Sequence, residues 1–159
     1  MLCFGYYKNE EATAEVIKDG WFYTGDLGRV DYDGWLYITG RCKSVIVTQN
    51  GKNIYPEEIE YYLNDNSLIE EAVVVGIPKN GDSEVTALVY PNIDAIKEHL
   101  KTDENPSKDQ IEKLVSMLVQ DVNKKFPNYK HIKNFKIRDT EFEKTTTKKI
   151  KRFGKNLEI

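Results

Sequence analysis

The pattern of apolar and polar residues in the first quarter of the chain differs from the pattern in the remaining three quarters. Up to residue 40 the apolar positions are mostly aromatic and stand in short runs, which favours the strands of a ribbon. Asp33-Gly34 is a typical two-residue hairpin turn, so we predict antiparallel strands at 27–32 and 35–39. The first quarter offers little to cover these aromatic side chains, and we interpret it as the trailing edge of a larger body.

After the first quarter, several apolar runs have the composition of strands in a packed sheet. Residues 72–77 and 85–90 each end at a proline, and the polar segment between them predicts an adjacent antiparallel pair. Residues 132–137 alternate apolar and polar side chains, which predicts a third strand. Residues 45–47 are all β-branched and predict a further short, buried strand.

Three segments carry their apolar residues at helical spacing. Pro56 suits the first position of a helix, because the N–H that proline lacks would be unpaired there anyway. A short helix is predicted at 93–100, and Ser107 caps a longer one with a continuous apolar stripe. We therefore predict an α+β fold in which a small three-stranded sheet carries packed helices and is preceded by a β-hairpin from the end of a larger domain.

The composition is that of a globular protein without a membrane span. Of the 159 residues, 40% are hydrophobic and 31% are charged, and no apolar run approaches the ~20 residues that a transmembrane helix requires. The first residues lack the basic and apolar regions of a signal peptide, so we expect a cytoplasmic location. Because the chain has only two cysteines and two histidines, we expect neither a disulfide framework nor a metal site.

The net charge of −3 argues against a general nucleic-acid binder, which needs a clustered excess of positive charge. The one dense basic segment lies near the C-terminus, at residues 144–152. Its simplest interpretation is a solvated, disordered basic end.

Two side chains and one loop are candidates for chemistry, although each also has an ordinary structural interpretation. Asp26 follows Thr24-Gly25 at the entry of the hairpin, where its carboxylate either caps the turn or accepts the hydroxyls of a ribose. Arg41 is either a surface cation or a planar fork for a phosphate or a sugar. Asn50-Gly51 is by itself a tight turn that requires a positive φ.

The order of these motifs resembles the C-terminal portion of the adenylate-forming, or AMP-binding, enzymes, which include the acyl-CoA synthetases. The segments that carry the resemblance are Tyr23-Thr24-Gly25-Asp26, Gly40-Arg41-Cys42-Lys43 and Gly51-Lys52-Asn53-Ile54-Tyr55-Pro56-Glu57-Glu58-Ile59-Glu60. The resemblance implies that Asp26 binds the ribose of the nucleotide and that Arg41 approaches its ribose or phosphate. It also implies that Lys43 is the hinge of a rotating C-terminal domain. Asn50 and Gly51 would belong to a loop that lines the pantetheine channel of coenzyme A.

The basic segment near the C-terminus resembles the family motif Pro-x-Thr-x-x-Gly-Lys-Ile-x-Arg. The residues that match it are Thr145, Ile150 and Arg152. Their register places Lys149 at the catalytic lysine. Glu143 stands at the proline position and Lys148 at the glycine position, so the assignment between Lys148 and Lys149 is open, and the resemblance favours Lys149. The resemblance also implies that Lys149 and the loop at Gly51 lie on different faces of the small domain.

The resemblance divides the chain into residues 1–42, the end of a large N-terminal AMP-binding domain, and residues 43–159, a small mobile C-terminal domain. The sequence contains no phosphate-binding loop, adenine-binding segment or acyl pocket, so we expect the fragment alone to be inactive. Residues 5–13 and 50–60 most resemble long-chain fatty acid CoA ligases. The intact enzyme would use ATP and Mg²⁺, held mainly by the missing N-terminal domain, to form an acyl-adenylate, and then coenzyme A to form the thioester.

Two other functions fit the same motifs. One is an adenylation domain that loads a carrier protein, and the other is a non-catalytic interaction module with the same fold. For the ligase, the expected partners are a fatty acid, ATP and coenzyme A, all bound through the intact enzyme, with a possible peripheral membrane contact of that enzyme.

Overall fold

The computed structural model describes residues 4–79 and 81–152. The chain divides into two compact units, Met1–Ser44 and Val45–Ile159. The elements of the first unit are helix α1 (Glu10–Val16), strands β1 (Ile17–Lys18), β2 (Trp21–Phe22), β3 (Asp26–Val30) and β4 (Leu36–Arg41), and a 3₁₀ turn at Cys42–Ser44. Strands β1 and β2 form one antiparallel pair, and β3 and β4 form another.

The connection between β3 and β4 is longer than the sequence indicates, so the prediction of a two-residue turn at Asp33-Gly34 is wrong. Residues 31–35 lie outside both strands. The carboxylate of Asp31 accepts the backbone N–H of Trp35 at 2.9 Å, and this bond is the main reason why the pKa of Asp31 lies below its ordinary value. The backbone N–H of Asp31 in turn donates to the carbonyl of Trp35 at 3.1 Å. These bonds close a wider turn than the dipeptide alone predicts.

The second unit is built around one three-stranded sheet. The strands are β5 (Ile46–Val47), β6 (Asn53–Ile54), β7 (Ile69–Lys79), β8 (Asp82–Pro91) and β9 (Asn134–Ile137). The helices are α2 (Pro56–Asn64), α3 (Ile93–Leu100) and α4 (Lys108–Asn123), with a 3₁₀ turn at Asn128–Lys130. Strands β5 and β6 form a separate antiparallel pair. The α+β fold class is thereby confirmed.

The sheet has the order β7-β8-β9, with β7 antiparallel to β8 as predicted and β9 parallel to β8. The prediction that a proline ends each of the first two strands is wrong, because β7 continues through Pro78 and β8 includes Pro91. Strand β7 is an edge strand and Pro91 is the last residue of β8, and sheets tolerate a missing N–H at such positions. The third strand begins at Asn134, two residues later than predicted.

The two faces of the sheet are covered by different elements. Val74 and Ala87 belong to the main core, together with residues from the apolar sides of α2, α3 and α4. Val73 and Leu88 belong to a second cluster, in which they pack with Phe142. Because successive residues of a strand point to opposite faces, the helices cover one face and the segment around Phe142 covers the other.

The short strand predicted at 45–47 is only partly buried. Ile46 lies in the main core, but Val47 is 54% exposed. Ile46 packs directly against Gly76 on β7, where an added Cβ would lie 2.7 Å from Ile46 Cγ2. The absence of a side chain at Gly76 therefore allows β5 to approach the sheet closely.

Helix α4 begins at the predicted cap and packs one face into the main core. The hydroxyl of Ser107 accepts the N–H of Gln110 at 3.3 Å, and the side chain of Gln110 accepts the N–H of Ser107 at 2.8 Å, which completes a capping box. Its buried residues are Ile111, Val115, Val119 and Val122. Within residues 4–79 and 81–152, each helix is too short or too polar to span a lipid bilayer.

Candidate functional site

Asp26 and Arg41 lie side by side at one end of the β3–β4 hairpin. They are partners in the register of the two strands, and Arg41 Nε lies 3.1 Å from Asp26 Oδ1. The Arg41 side chain is 62% exposed and that of Asp26 is 30% exposed, so both groups are accessible to a ligand. A carboxylate beside a guanidinium offers an acceptor for ribose hydroxyls and a donor fork for phosphate or sugar oxygens.

The turn before Asp26 is held by Thr24. The hydroxyl of Thr24 accepts the backbone N–H of Asp26 at 3.1 Å, and the carbonyl of Gly25 accepts the backbone N–H of Cys42 at 2.8 Å. Gly25 has a φ of 74°, a conformation that favours glycine. The side chain that caps this turn is therefore Thr24 and not Asp26, and the carboxylate of Asp26 pairs with Arg41 instead.

Lys43 is the middle residue of the 3₁₀ turn Cys42–Ser44, and it is exposed. The division between the two compact units follows directly after this turn. Lys43 therefore lies at the boundary between the two units, where the resemblance predicts a hinge.

Asn50 and Gly51 are exposed at the tip of the β5–β6 pair. The backbone N–H of Thr48 donates to the carbonyl of Lys52 at 3.0 Å, and the hydroxyl of Thr48 accepts the N–H of Lys52 at 3.1 Å. Gly51 has the positive φ that the sequence predicts, at 69°, and among the described residues no atom lies within 4 Å of where its Cβ would be. Glycine is therefore required here by backbone conformation and not by crowding.

The basic segment near the C-terminus is folded over residues 144–152. Its interpretation as a disordered end is therefore wrong for these residues. Lys144 and Ile150 are bridge partners, and Ile150 packs with the apolar cluster on the sheet face opposite the helices. We call residues 143–151 the terminal hairpin. Its turn carries Lys149 at an exposed position.

The turn of the terminal hairpin has the same hydrogen-bond pattern as the turn at Gly51. The N–H of Thr145 donates to the carbonyl of Lys149 at 2.7 Å, and the N–H of Lys149 donates to the hydroxyl of Thr145 at 3.2 Å. The residue before the closing residue has a positive φ in both turns, 69° at Gly51 and 60° at Lys148. The turn between β3 and β4 repeats the pattern, with Gly34 at a φ of 85°. Lys148 thus holds a backbone conformation that glycine holds in the other two turns.

This geometry bears on the choice between Lys148 and Lys149. The position with positive φ is the one at which the family motif has glycine, and Lys148 occupies it. Lys149 is the residue at which the chain leaves the turn, with its N–H and its carbonyl both bonded to Thr145. The backbone therefore favours the register in which Lys149 corresponds to the family's lysine.

The turn at Gly51 and the terminal hairpin pack on opposite faces of the sheet. The strands that lead into the Gly51 turn carry Ile46 and Ile54, which lie in the main core. The terminal hairpin follows Phe142, which packs with Ile150 in the cluster on the other face. The two segments therefore lie on different sides of the sheet, as the resemblance implies.

Two ion pairs hold the terminal hairpin against the rest of the unit. Lys144 Nζ lies 2.6 Å from Glu71 Oε1 on β7, and this hydrogen bond is the main reason why the pKa of Lys144 lies above its ordinary value. Arg152 Nη2 lies 2.5 Å from Glu60 Oε2 on α2. Burial raises the pKa of Glu60, and the charge of Arg152 opposes this rise.

The pairing of Glu60 with Arg152 is not predicted from the sequence, although one signal for it exists. Glu60 lies on the buried side of α2, with Pro56, Ile59 and Leu63. A carboxylate in an apolar stripe has to be paired or neutralised, because an isolated buried charge is strongly unfavourable. The sequence therefore predicts that Glu60 has a cationic partner but does not identify it, because Arg152 is 92 residues away in the sequence.

The described residues do not fit a metal ion. Between residues 4 and 152, with residue 80 left aside, no group of three or more histidine, cysteine, aspartate or glutamate side chains is arranged to hold one. We therefore assign no step to a metal ion held by these residues.

Comparison with known curated proteins gives relatives that are named as CoA ligases. The long-chain-fatty-acid–CoA ligase FadD15 of Mycobacterium tuberculosis is 57% identical over 75 residues, which are 47% of this chain and 12% of that protein. The 2-succinylbenzoate–CoA ligase of a Geobacillus species is 48% identical over 73 residues, which are 46% of this chain and 15% of that protein. The matched part of this chain is thus less than a fifth of either relative.

A solved structure and a family model agree with these relatives. The crystal structure of the ATP-bound RpMatB-BxBclM chimera B1 is 29% identical, with a TM-score of 0.68, and the match covers 92% of this chain and 26% of that chain. The family model for the AMP-binding enzyme C-terminal domain matches residues 43–155. The family indicated by the sequence motifs is thereby confirmed. The chain belongs to the family of AMP-binding enzyme C-terminal domains.

Proposed function

We propose that this chain is the C-terminal part of an ATP-dependent, AMP-forming acyl-CoA ligase that activates a long-chain fatty acid. In this proposal residues 1–42 end the large N-terminal domain, and residues 43–159 form the small mobile domain. The family membership and the ligase relatives support it. The observation that carries it furthest is the turn of the terminal hairpin, which presents Lys149 to solvent beside Lys148 in a glycine-like conformation.

Lys149 stabilises the transition state of adenylate formation. Attack of a carboxylate on the α-phosphate of ATP brings two anions together and expels pyrophosphate, so a cation near the oxygens that gain charge lowers the barrier. At ~4 Å and an effective dielectric constant of about 20, such a contact is worth on the order of 4 kcal/mol. If it is made only in the transition state, it corresponds to roughly three decades in rate.

Asp26 and Arg41 hold the nucleotide in this proposal. The carboxylate of Asp26 accepts the ribose hydroxyls, and the guanidinium of Arg41 donates to ribose or phosphate oxygens. Their ion pair at 3.1 Å supports these roles, because it aligns both groups at the same end of the hairpin. Lys43 is the hinge, and rotation of the backbone there moves the small domain relative to the bound nucleotide.

The loop with Asn50 and Gly51 serves the second step. Rotation of the small domain withdraws Lys149 and brings this loop to the site, where it lines the channel for the pantetheine arm of coenzyme A. The packing of the two segments on opposite faces of the sheet supports such an exchange, because a rotation of the domain changes which face is turned towards the site. In the intact enzyme, Gly51→Ala should slow thioester formation from preformed adenylate more than adenylate formation, and equal slowing would contradict this role.

ATP, Mg²⁺, coenzyme A and the fatty acid are bound mainly by the part of the enzyme outside this chain. The match to FadD15 supports a long-chain fatty acid as the acid. The second relative is named for a different acid, 2-succinylbenzoate. This difference fits the proposal that the acyl pocket, and with it the choice of acid, belongs to the large domain.

The test is a product assay of the intact enzyme that carries this chain as its C-terminal part. With ATP, Mg²⁺, coenzyme A and a long-chain fatty acid, we expect AMP, pyrophosphate and the acyl-CoA thioester, and no product from the 159-residue chain alone. Transfer to a carrier protein without any thioester from free coenzyme A would favour the adenylation-domain alternative.

A non-catalytic interaction module remains the second candidate, and the observation that favours it is the lysine at position 148, where the family motif has glycine. A chain that no longer performs adenylation loses the selection for glycine at that turn. Failure of the intact enzyme to form an adenylate from any acid offered would favour this candidate over the ligase.

A further inference from the structure

A buried carboxylate on α2 anchors the terminal hairpin at its base. Glu60 is 8% exposed, and its two oxygens have different partners. Oε1 accepts the backbone N–H of Val74 at 2.8 Å, and Oε2 accepts from Arg152 Nη2 at 2.5 Å. Glu60 therefore connects three segments: helix α2, strand β7 and the chain directly after the terminal hairpin.

Arg152 directly follows the second arm of the terminal hairpin, and its ion pair with Glu60 holds that arm in place. The last backbone bond of the hairpin runs from the N–H of Lys151 to the carbonyl of Glu143 at 2.9 Å. Arg152 follows this bond immediately and is three residues from Lys149. The other arm is held by Lys144, through its ion pair at 2.6 Å with Glu71. A hairpin fixed at both arms has a defined direction for its turn.

A second carboxylate faces the same guanidinium. Glu57 Oε1 lies 3.6 Å from Arg152 Nη2, and both carboxylate oxygens of Glu57 are buried without a hydrogen-bond partner among the described residues. Two acidic groups on one helix therefore hold Arg152, with Glu60 the closer of them. Loss of Arg152 would leave both carboxylates buried without their cation, which is strongly unfavourable.

We propose that Glu60 is a positioning residue for Lys149: through Arg152 it sets the direction in which the terminal hairpin presents the Lys149 ammonium group. This inference rests on the proposed function, because it gives Glu60 a role in adenylate formation and none in the thioester step. Charge-assisted hydrogen bonds are both stronger and more directional than neutral ones, so the pair limits the orientations of the hairpin.

The first experiment measures the hairpin itself, by amide hydrogen exchange in the 159-residue chain. For Glu60→Gln, we expect the protected amides of Thr145 and Lys149 to exchange roughly tenfold faster, while core amides of β8 keep their rates. The matched control is Glu58→Gln, on the same helix as Glu60. It removes the ion pair of Glu58 with Lys130 and should leave the hairpin amides unchanged. Equal acceleration in the hairpin and in β8 would overturn the proposal, because Glu60 would then only support the fold.

The second experiment uses the intact enzyme and separates the two half-reactions. Glu60→Gln should lower kcat for adenylate formation roughly tenfold, with KM for ATP and for the acid unchanged and thioester formation from preformed adenylate retained. The double variant Glu60→Gln/Arg152→Gln should be no slower than Arg152→Gln alone, since Glu60 acts through Arg152. Full adenylation by Glu60→Gln would overturn the proposal.

The two failures can be told apart with Lys149→Ala in the same assay. If Lys149→Ala abolishes adenylation and Glu60→Gln does not reduce it, the positioning role fails and the proposed function stands. If Lys149→Ala retains adenylation, the role of Lys149 fails, and with it the positioning role of Glu60, while the ligase function itself is decided by the product assay.

Discussion

Lys148 holds the backbone conformation of Gly51, with a φ of 60° against 69°. Each residue precedes the closing residue of a turn in which a threonine hydroxyl accepts the final N–H. For a residue with a Cβ, this left-handed conformation costs roughly 1–2 kcal/mol. The terminal hairpin therefore forms in spite of its turn residue, and its anchors at Phe142 and Arg152 offset the strain.

Lys148→Gly should stabilise the terminal hairpin. Removal of the Cβ relieves the left-handed strain, while the greater freedom of glycine in the unfolded chain offsets part of the gain, so we expect a net effect of about 0.5–1 kcal/mol. Amide exchange at Thr145 and Lys149 measures it, and protection should increase. Lys148→Ala keeps the Cβ and removes the charge, so it is the matched control and should leave protection near that of the native chain. Equal protection in the glycine and alanine variants would show that the backbone at Lys148 is not strained.

Gly76→Ala should destabilise the second unit by about 1–3 kcal/mol, as overpacking of a close contact does. The added Cβ would lie 2.7 Å from Ile46 Cγ2, and Ile46 is buried. Either β5 moves away from the sheet or Ile46 leaves its rotamer, and the turn at Gly51 moves with β5. Chemical denaturation gives the change in the free energy of unfolding.

The control for Gly76 is the double variant Gly76→Ala/Ile46→Ala. Alanine lacks both Cγ atoms that the added Cβ would approach, so the double variant should recover part of the loss if contact with Ile46 is its cause. A double variant whose loss equals the sum of the two single losses would contradict this explanation.

Glu60 should give the folded chain a distinct dependence of stability on pH. Burial raises its pKa above the ordinary value of 4.5, while Arg152 and the Val74 N–H lower it and Glu57 raises it further. A carboxyl whose folded pKa is raised binds more protons in the folded state. Its contribution to stability is therefore fully present below pH 4.5 and is lost as the pH rises through the folded pKa.

Glu60→Gln removes this contribution, and denaturation at a series of pH values measures it. Relative to the glutamine variant, the native chain should lose stability as the pH rises from 4.5 upwards. If the native chain instead gains stability relative to Glu60→Gln as the pH rises above 4.5, pairing with Arg152 outweighs the effect of burial on Glu60.

The sequence predicts the fold where local pattern and tertiary structure agree. The apolar runs at 72–77 and 85–90 become the antiparallel centre of the sheet, and the cap at Ser107 starts α4. The sequence around each proline could not predict that both strands continue through it. Whether a proline is tolerated depends on whether its backbone nitrogen faces a neighbouring strand, which only the sheet order determines. The turn at Asp33-Gly34 is misread because the carboxylate of Asp31 closes a wider turn.

For the candidate site, the sequence supplies the residue types and the structure supplies their partners. The motifs name Asp26 and Arg41 separately, and the strand register makes them an ion pair. The substitution of lysine for glycine at Lys148 is visible in the motif, but its φ is not. The pairing of Glu60 with Arg152 joins two distant segments, and such long-range contacts cannot be deduced from residue spacing alone.

The central claim is that the terminal hairpin presents Lys149 to the adenylation step, and single-turnover assays of the two half-reactions in the intact enzyme test it most directly. For Lys149→Ala we predict a loss of roughly three decades in adenylate formation from ATP and acid, with thioester formation from preformed adenylate largely retained. Lys148→Ala is the matched control and should keep both half-reactions. Equal loss of both half-reactions in Lys149→Ala, or a selective loss of adenylation in Lys148→Ala instead, would contradict the claim.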